Sequence, residues 1–142
     1  MRILVTGGSG FIGGRLVVAL RLQGHDIVVL DKKEPSFEVE FIKHDISNPR
    51  VLDLNYGKVD IIFHIAAQSG GYFSLNNSYE DALWNSVGTM HIVKLAQRLN
   101  VKKLIYTSTM AVYGNMENAT EKGIVNPISF YGSSKLSAEY YV

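Results

Sequence analysis

The sequence predicts an α/β domain in which parallel strands are joined by crossover helices. Short runs rich in β-branched residues alternate along the chain with longer segments of helical period. Most of the short runs are continuously apolar, as in strands that are buried on both faces of a sheet. A chain of 142 residues with 46% hydrophobic content is long enough for one such domain with its own core.

Five runs are predicted as strands. They are RILVT at 2–6, DIVVL at 26–30, EFIKH at 40–44, DIIFHIA at 60–66 and KLIYTS at 103–108. The first helix is predicted at 11–23, with Gly24 as its C-terminal cap. Its apolar positions follow a period of about 3.6 residues and are Phe11, Ile12, Leu16, Val17 and Leu20.

The longest predicted helix is 79–99, which has a broad apolar surface. No period is found at 115–127, a stretch rich in Asn, Glu and Gly, so it is predicted as a loop. A further helix is predicted to begin near Tyr131.

Composition excludes several classes of function. Fourteen Lys and Arg face thirteen Asp and Glu without a run of like charge, so nucleic acid and membrane partners are not expected. There is no Cys, and the four His lack ligand spacing, so no metal site is expected. No signal peptide or apolar span of about 18 residues is visible, and we expect a cytoplasmic protein.

Glycines punctuate TGGSGFIGG at 6–14, between the first strand and the first helix. Gly7 suits the tight turn, Gly10 lets backbone N–H groups approach a pyrophosphate, and Gly13 lets helix and strand pack closely. This arrangement predicts a Rossmann-type nucleotide site, in which we include Phe11 and Ile12.

Asp31 follows the second strand, 21 residues after Gly10. A carboxylate there accepts hydrogen bonds from the hydroxyls of an adenosine ribose and repels a 2′-phosphate, which favours NAD over NADP. Lys32 and Lys33 partly offset that repulsion. The alternative is that the glycines serve turns only and Asp31 is a solvated acid.

Five motifs in register resemble the extended short-chain dehydrogenase/reductase family of sugar-nucleotide epimerases and dehydratases. They are the glycine motif, Asp31, HIAAQ at 64–68, TSTMAVYG at 107–114 and YGSSK at 131–135. The resemblance covers the whole chain and implies a three-layer, doubly wound NAD-binding domain. It also implies a C-terminal domain for a nucleotide-sugar, which would be absent from residues 1–142.

The resemblance implies roles for further residues. Asp45 and Ile46 match the adenine position, Ala66, Ala67 and Gln68 lie along the cofactor, and Asn85 is counted with the cofactor-binding residues and supports the active site. Thr109 matches the Ser/Thr that hydrogen-bonds the reacting oxygen. His44 and His64 are read either as strand-end residues satisfied by the backbone or as direct participants.

Tyr131 and Lys135 are four residues apart and share one helix face. A free phenol has a pKa of about 10, and nearby cationic charge lowers it. Within the family resemblance, Tyr131 takes the proton of a sugar hydroxyl, and Lys135 holds the nicotinamide ribose. Thr109, Tyr131 and Lys135 are therefore the predicted catalytic residues, and Tyr131 and Lys135 also count as cofactor-binding.

Met110 and Ala111 occupy the positions where 4,6-dehydratases of this family carry an acid. An apolar pair cannot transfer protons, which disfavours dehydratases and the similar decarboxylases. The stretch around Ser74, Leu75 and Asn77 resembles UDP-glucuronate 4-epimerases, but Tyr72 replaces their common arginine.

We therefore favour a UDP-hexose 4-epimerase, with hexuronate as a variant. A non-catalytic NAD-binding protein, a dehydratase and a net reductase remain as alternatives. The Tyr131 helix has no stop signal, so we expect a fragment that is inactive alone. The helices at 79–99 and 129–142 are expected to form a homodimer.

Overall fold

The computed structural model describes residues 1–142 and contains one parallel sheet of five strands. In spatial order β3-β2-β1-β4-β5, all neighbouring pairs are parallel. The strands are β1 Arg2–Thr6, β2 Asp26–Asp31, β3 Glu40–Lys43, β4 Ile61–His64 and β5 Lys103–Tyr106. The predicted strands at 60–66 and 103–108 end earlier, because their last residues leave the sheet as loops that line a cleft.

Helices cover both faces of the sheet, which gives three layers as predicted. Helix α1, Phe11–Leu22, packs on one face through Val17 and Leu20. Helix α4, Gly88–Arg98, packs on the other face through Ile92 and Leu95. Side chains alternate along β1 between the two layers, as the strand period of two requires.

Helix α1 differs from its prediction at its first turn. Phe11 and Ile12 are 77% and 60% exposed, so they do not belong to the buried stripe. The helix begins at the carboxyl edge of the sheet, and its first turn projects beyond the strands toward the cleft. At the other end, Gly24 has a φ of 78°, and the N–H of His25 donates to Leu20 O, which confirms the predicted cap.

The long predicted helix is a continuous but irregular one. It consists of α3 Ser78–Ala82, a π-helical turn Leu83–Val87 and α4. A short helix that the sequence did not predict, α2 Gly71–Asn76, precedes it. None of the helices is both long and apolar enough to span a bilayer.

The last helix, α5, runs from Phe130 to Glu139. Ser129 caps it, with Oγ accepting the Gly132 N–H at 3.0 Å. The preceding stretch, 115–129, has neither helix nor strand, which agrees with the predicted loop. Two 3₁₀ turns, Pro49–Asp53 and Met110–Tyr113, complete the secondary structure.

Candidate active site

A cleft of about 670 Å³ opens at the carboxyl edge of the sheet. It lies where the chain order reverses between β1 and β4, the position at which doubly wound sheets bind ligands. Asp31 and Asp45 lie at one end of the cleft, which we call the acidic end. Thr107, Ser108 and Lys135 lie at the other, which we call the lysine end.

Two glycines shape the turn between β1 and α1. Gly7 has a φ of 73°, and a Cβ on it would lie 2.6 Å from Ala66 N, so only glycine fits. A Cβ on Gly13 would overlap the carbonyl oxygen of Gly7. Helix and strand can therefore approach each other only because both side chains are missing.

The first turn of α1 offers an anion site. Its N-cap is Gly10, which has no side chain to cap the helix, and the N–H groups of Phe11, Ile12 and Gly13 have no acceptor in the protein. These groups face the cleft end of a 12-residue helix, where the helix dipole favours negative charge. This turn suits the pyrophosphate of a dinucleotide.

Asp31 is the last residue of β2 and lies at the acidic end of the cleft. Its Oδ2 accepts the Ser9 N–H at 3.1 Å, and its Oδ1 accepts the Lys33 N–H at 3.0 Å. These two bonds fix the carboxylate beside the glycine turn. Each oxygen keeps lone pairs for a further donor, such as a ribose hydroxyl.

Asp45 completes the acidic end. Its Oδ1 accepts the N–H and the hydroxyl of Ser47, each at 2.9 Å, and its Oδ2 lies 3.6 Å from Lys32 Nζ. Partial burial raises the pKa of Asp45, but the Ser47 hydrogen bonds and the Lys32 charge outweigh it, so the pKa lies below its ordinary value. The carboxylate is therefore ionised at neutral pH.

A buried polar network lies beneath the lysine end, and His64 at the end of β4 is its centre. Its Nδ1 lies 2.6 Å from Thr6 Oγ1, and its Nε2 lies 2.9 Å from Thr89 Oγ1. The Thr89 hydroxyl donates to Asn85 O, so it accepts from Nε2–H, and Thr6 then donates to Nδ1. Burial, with the charge of Lys135, lowers the pKa of His64 to about 3, so the ring is neutral.

Asn85 on the π turn extends this network. Its Oδ1 accepts the Gln68 N–H at 2.8 Å, and its Nδ2 lies within 3.3 Å of Gln68 O, Asp81 Oδ1 and Ser134 Oγ. Ser134 in turn donates to Asp81 Oδ2 at 2.5 Å. The network thus ties the Gln68 loop and α3 to α5.

Lys135 enters the cleft from α5, although only 2% of the residue is exposed. Its Nζ donates to Thr107 O at 2.7 Å and lies 4.2 Å from the centroid of the Tyr106 ring. Burial lowers the pKa of Lys135 to about 8, against the opposing charges of Glu139 and Asp81. The side chain still carries its proton predominantly at pH 7.

The other two predicted catalytic residues lie outside the lining of the cleft. Thr109 caps the 3₁₀ turn Met110–Tyr113, with Oγ1 accepting the Ala111 N–H at 3.2 Å. Tyr131 lies one turn before Lys135 on α5, and it is close enough to Tyr106 to contribute to the raised pKa of that phenol, whose main cause is burial.

A family model for the NAD dependent epimerase/dehydratase family matches residues 3–142. The chain belongs to this family. Among curated relatives, the UDP-glucose 4-epimerase of Mycolicibacterium smegmatis is 36% identical and is matched over 100% of this chain. UDP-glucuronic acid decarboxylase 4 of Arabidopsis thaliana is 35% identical over 98% of it. The chain spans 50% and 34% of the lengths of these two proteins.

Solved structures of epimerase/dehydratase proteins share the fold. MoeE5 in complex with UDP-glucose and NAD superposes with a TM-score of 0.92 at 29% identity. The match covers 99% of this chain and 48% of MoeE5. Both the fold predicted from the sequence and the family are thereby confirmed.

Most predicted cofactor-binding residues of this family member lie in the cleft lining. They are Gly7, Gly10, Phe11, Ile12, Gly13, Asp31, Asp45, Ile46, Ala66, Ala67, Gln68 and Lys135. Asn85 and Tyr131 do not line the cleft: Asn85 is 1% exposed and its side chain is bonded to protein groups, and the cofactor contacts of both residues remain predictions. The ring of His64 is satisfied by two hydroxyls, a kind of partner that neither of the two sequence interpretations had named.

Sequence reasoning missed several cleft residues. Trp84, Thr107 and Ser108 line the cleft, and the sequence assigned no role to any of them. Lys32, which the sequence placed beside Asp31 without counting it as a site residue, lines the acidic end. His44 also lines the cleft, and its buried Nε2 has no partner in the protein. The sequence signal that could have indicated Trp84 was that it is the single tryptophan of the chain and directly precedes Asn85.

Proposed function

We propose that the cleft binds NAD, with the pyrophosphate at the first turn of α1. The free N–H groups of that turn, the glycine cradle and the Asp31 carboxylate fit the phosphates and a ribose without a 2′-phosphate. MoeE5, which shares this fold, forms a complex with NAD, and this supports the proposal. When bound, NAD supplies an acceptor for the hydride of a sugar carbinol and can return it.

We further propose that Tyr131 and Lys135 handle the proton of that carbinol. Tyr131 accepts the hydroxyl proton, and Thr109 donates a hydrogen bond to the same oxygen. One Lys135 N–H is held by Thr107 O, which orients the ammonium and leaves two donors for a ribose. Thr109 can keep its bond from the Ala111 N–H in this role, since its hydroxyl accepts that bond and can donate another.

We propose 4-epimerisation of a UDP-hexose, with a UDP-hexuronate as the variant substrate. The supporting observation is the residue pair after Thr109: Met110 is 68% exposed and Ala111 carries no proton-transfer group. Loss of water or of carbon dioxide from the sugar needs bond-breaking steps beyond the oxidation at C4, whereas epimerisation needs only reversible oxidation at C4. The named activities of the relatives include both epimerase and decarboxylase, and this pair is the reason for proposing the first.

The test uses the natural gene product that carries these residues. Incubated with UDP-glucose or UDP-glucuronate and monitored by proton NMR, it should interconvert the C4 epimers. A deoxy methyl signal would indicate a dehydratase, and a pentose product a decarboxylase. Net formation of NADH would indicate an oxidoreductase. Each of these three results would overturn the epimerase proposal.

A second candidate is an NAD-binding protein without turnover. It is favoured by one observation: neither Thr109 nor Tyr131 lines the cleft. In that case Tyr131→Phe leaves NAD affinity unchanged and there is no activity to lose. For an enzyme, the same substitution lowers kcat by about 100-fold or more while the affinity for NAD is retained. The homodimer through 79–99 and 129–142, an accompanying substrate domain and a cytoplasmic location remain predictions.

A further inference from the structure

Lys32 and Trp84 meet at the rim of the acidic end. Lys32 follows β2, and its Nζ lies 3.8 Å from the centroid of the Trp84 ring. The same Nζ lies 3.6 Å from Asp45 Oδ2. Both Lys32 and Trp84 line the cleft, so one ammonium joins the strand side of the cleft to its helix side.

Trp84 is held from its own side of the cleft. Its ring stacks on Phe73 of α2, with centroids 5.7 Å apart and planes inclined by 24°. It also lies within the π turn, whose wider backbone loop orients it differently from a residue in a regular helix. The indole is therefore a fixed, half-buried plane beside the acidic end.

We propose that Lys32 and Trp84 form a clasp that closes on the adenine of a bound dinucleotide. The indole provides a stacking plane for the base, and Lys32 provides the movable part. The proposal rests on NAD binding as proposed above, because Asp31 at the ribose position puts the base next to Asp45 and the clasp.

The contacts of Lys32 support this assignment. Its side chain is 49% exposed, and its partners are one ring and one carboxylate 3.6 Å away. Exposed cation–π and ion-pair contacts are weak, so a ligand can rearrange them. The base has the same type of π face as the indole to which the ammonium is already attracted.

The clasp also changes the role that the sequence assigned to Lys32. With Asp45 and Trp84 engaging its ammonium, Lys32 does not extend toward the ribose side of Asp31. Its ammonium is therefore not available to pair with the 2′-phosphate of NADP. Removing Asp45 or Trp84 as its partner should free the ammonium and narrow the preference for NAD over NADP.

Fluorescence can test the clasp in the 142-residue chain, because Trp84 is its only tryptophan. Emission is titrated with NAD, AMP and nicotinamide mononucleotide, and NAD affinity is measured separately by calorimetry. We expect NAD and AMP to change Trp84 emission, and nicotinamide mononucleotide to leave it unchanged. A response to nicotinamide mononucleotide without one to AMP would overturn the proposal.

Substitutions provide the second arm. Trp84→Leu should weaken NAD binding about fivefold or more, since stacking on an aromatic ring is lost. Trp84→Phe should retain most of the affinity, and Tyr79→Leu, at an exposed residue of α3 outside the cleft, should leave it unchanged. Circular dichroism verifies that each variant is folded. Lys32→Met should weaken binding less than Trp84→Leu and should lower, not raise, the affinity for NADP.

The two proposals fail in different ways. NAD binding by calorimetry with unchanged Trp84 emission, and with the affinity of Trp84→Leu intact, overturns the clasp and leaves NAD binding standing. An absence of NAD binding in the folded chain overturns both.

Discussion

The two ends of the cleft are built on opposite principles. At the acidic end, Asp31, Asp45 and Lys32 are partly exposed and are bonded to loop residues, to each other and, for Lys32, to the Trp84 ring. At the lysine end, His64, Asn85 and Asp81 are 1% exposed or less and are bonded to one another's neighbours in a fully buried network that includes Ser134 and Thr89. Replacing an exposed polar group changes the free energy of unfolding little, whereas a buried polar group that loses its hydrogen-bond partner destabilises the fold. The acidic end is therefore free to serve recognition, while the lysine end is also part of the core.

The largest effect is expected for Asn85→Leu. This change leaves the N–H and carbonyl of Gln68 without a protein partner and leaves the buried carboxylate of Asp81 with Ser134 as its one remaining side-chain partner. We expect a loss of about 3–4 kcal/mol in the free energy of unfolding, measured by urea denaturation. Asn118→Leu, at an exposed loop residue, is the matched control and should change stability by less than about 0.5 kcal/mol. Equal effects of the two changes would mean that the network does not stabilise the fold.

A lower pH should destabilise the fold through the same end of the cleft. Because burial lowers the pKa of His64 to about 3 from 6.5, the unfolded chain binds this proton between these values and the folded chain does not. Stability from the neutral ring is therefore present above pH 6.5 and is lost as the pH falls toward 3. We expect His64 to account for about 2–3 kcal/mol between pH 7 and pH 4.5. Urea denaturation of the unaltered chain and of His64→Asn at pH 7 and pH 4.5 isolates the contribution of His64. The variant should lose less free energy of unfolding on acidification than the unaltered chain.

The buried hydroxyl of Ser134 can be compared with the exposed hydroxyl of the neighbouring Ser133. Ser134→Ala removes the hydrogen bond to the buried Asp81 carboxylate, and we expect it to cost about 1–3 kcal/mol. Ser133→Ala, one residue earlier on the exposed side of α5, should change stability by less than about 0.5 kcal/mol. Thermal unfolding monitored by circular dichroism compares the two. A Ser134 variant as stable as the Ser133 variant would contradict the importance of this bond.

The smallest effect on stability is expected at the acidic end, where Asp31→Asn should cost less than about 0.5 kcal/mol. The same change should weaken NAD binding about tenfold, because a carboxylate accepts stronger hydrogen bonds from ribose than an amide does. In the unaltered chain, NAD should bind at least about tenfold more tightly than NADP. Titration calorimetry measures both, with Asp53→Asn as the exposed control. Equal affinity for the two cofactors would show that Asp31 does not select between them.

The same contrast explains what could be predicted from the sequence. The strands and the glycine turn follow from local patterns, namely β-branched runs and glycines at a strand-to-helix junction. Phe11 and Ile12 were counted in the apolar stripe of α1 as well as in the nucleotide site, because a period does not show where a helix extends past the sheet it covers. Helix α2 was missed because its glycine-rich start and single turn give no clear helical period.

The network could not be read from the sequence for a different reason. Ser134 and Asp81 are 53 positions apart, and Thr89 and His64 are 25 apart. Such pairs are formed by the packing of α5 and the π turn on the sheet, and no short motif encodes them. The resemblance to a family indicated Asn85, but only the fold shows that its partners are protein groups.

The π turn has a consequence for how this chain can change in length. An α-helix advances about 100° per residue, and a π turn contains one residue more than a regular turn. Because the wider turn absorbs that residue, α3, which presents Asp81 to α5, and α4, which presents Ile92 and Leu95 to the sheet, keep nearly the phase of one regular helix. Deleting one residue other than Asn85 from 83–87 would therefore restore a regular helix with little rotation of one segment against the other, whereas deleting two would rotate them by about 100°. A one-residue deletion at this point should therefore be compatible with folding, while a two-residue deletion should misdirect either Asp81 or the apolar face of α4.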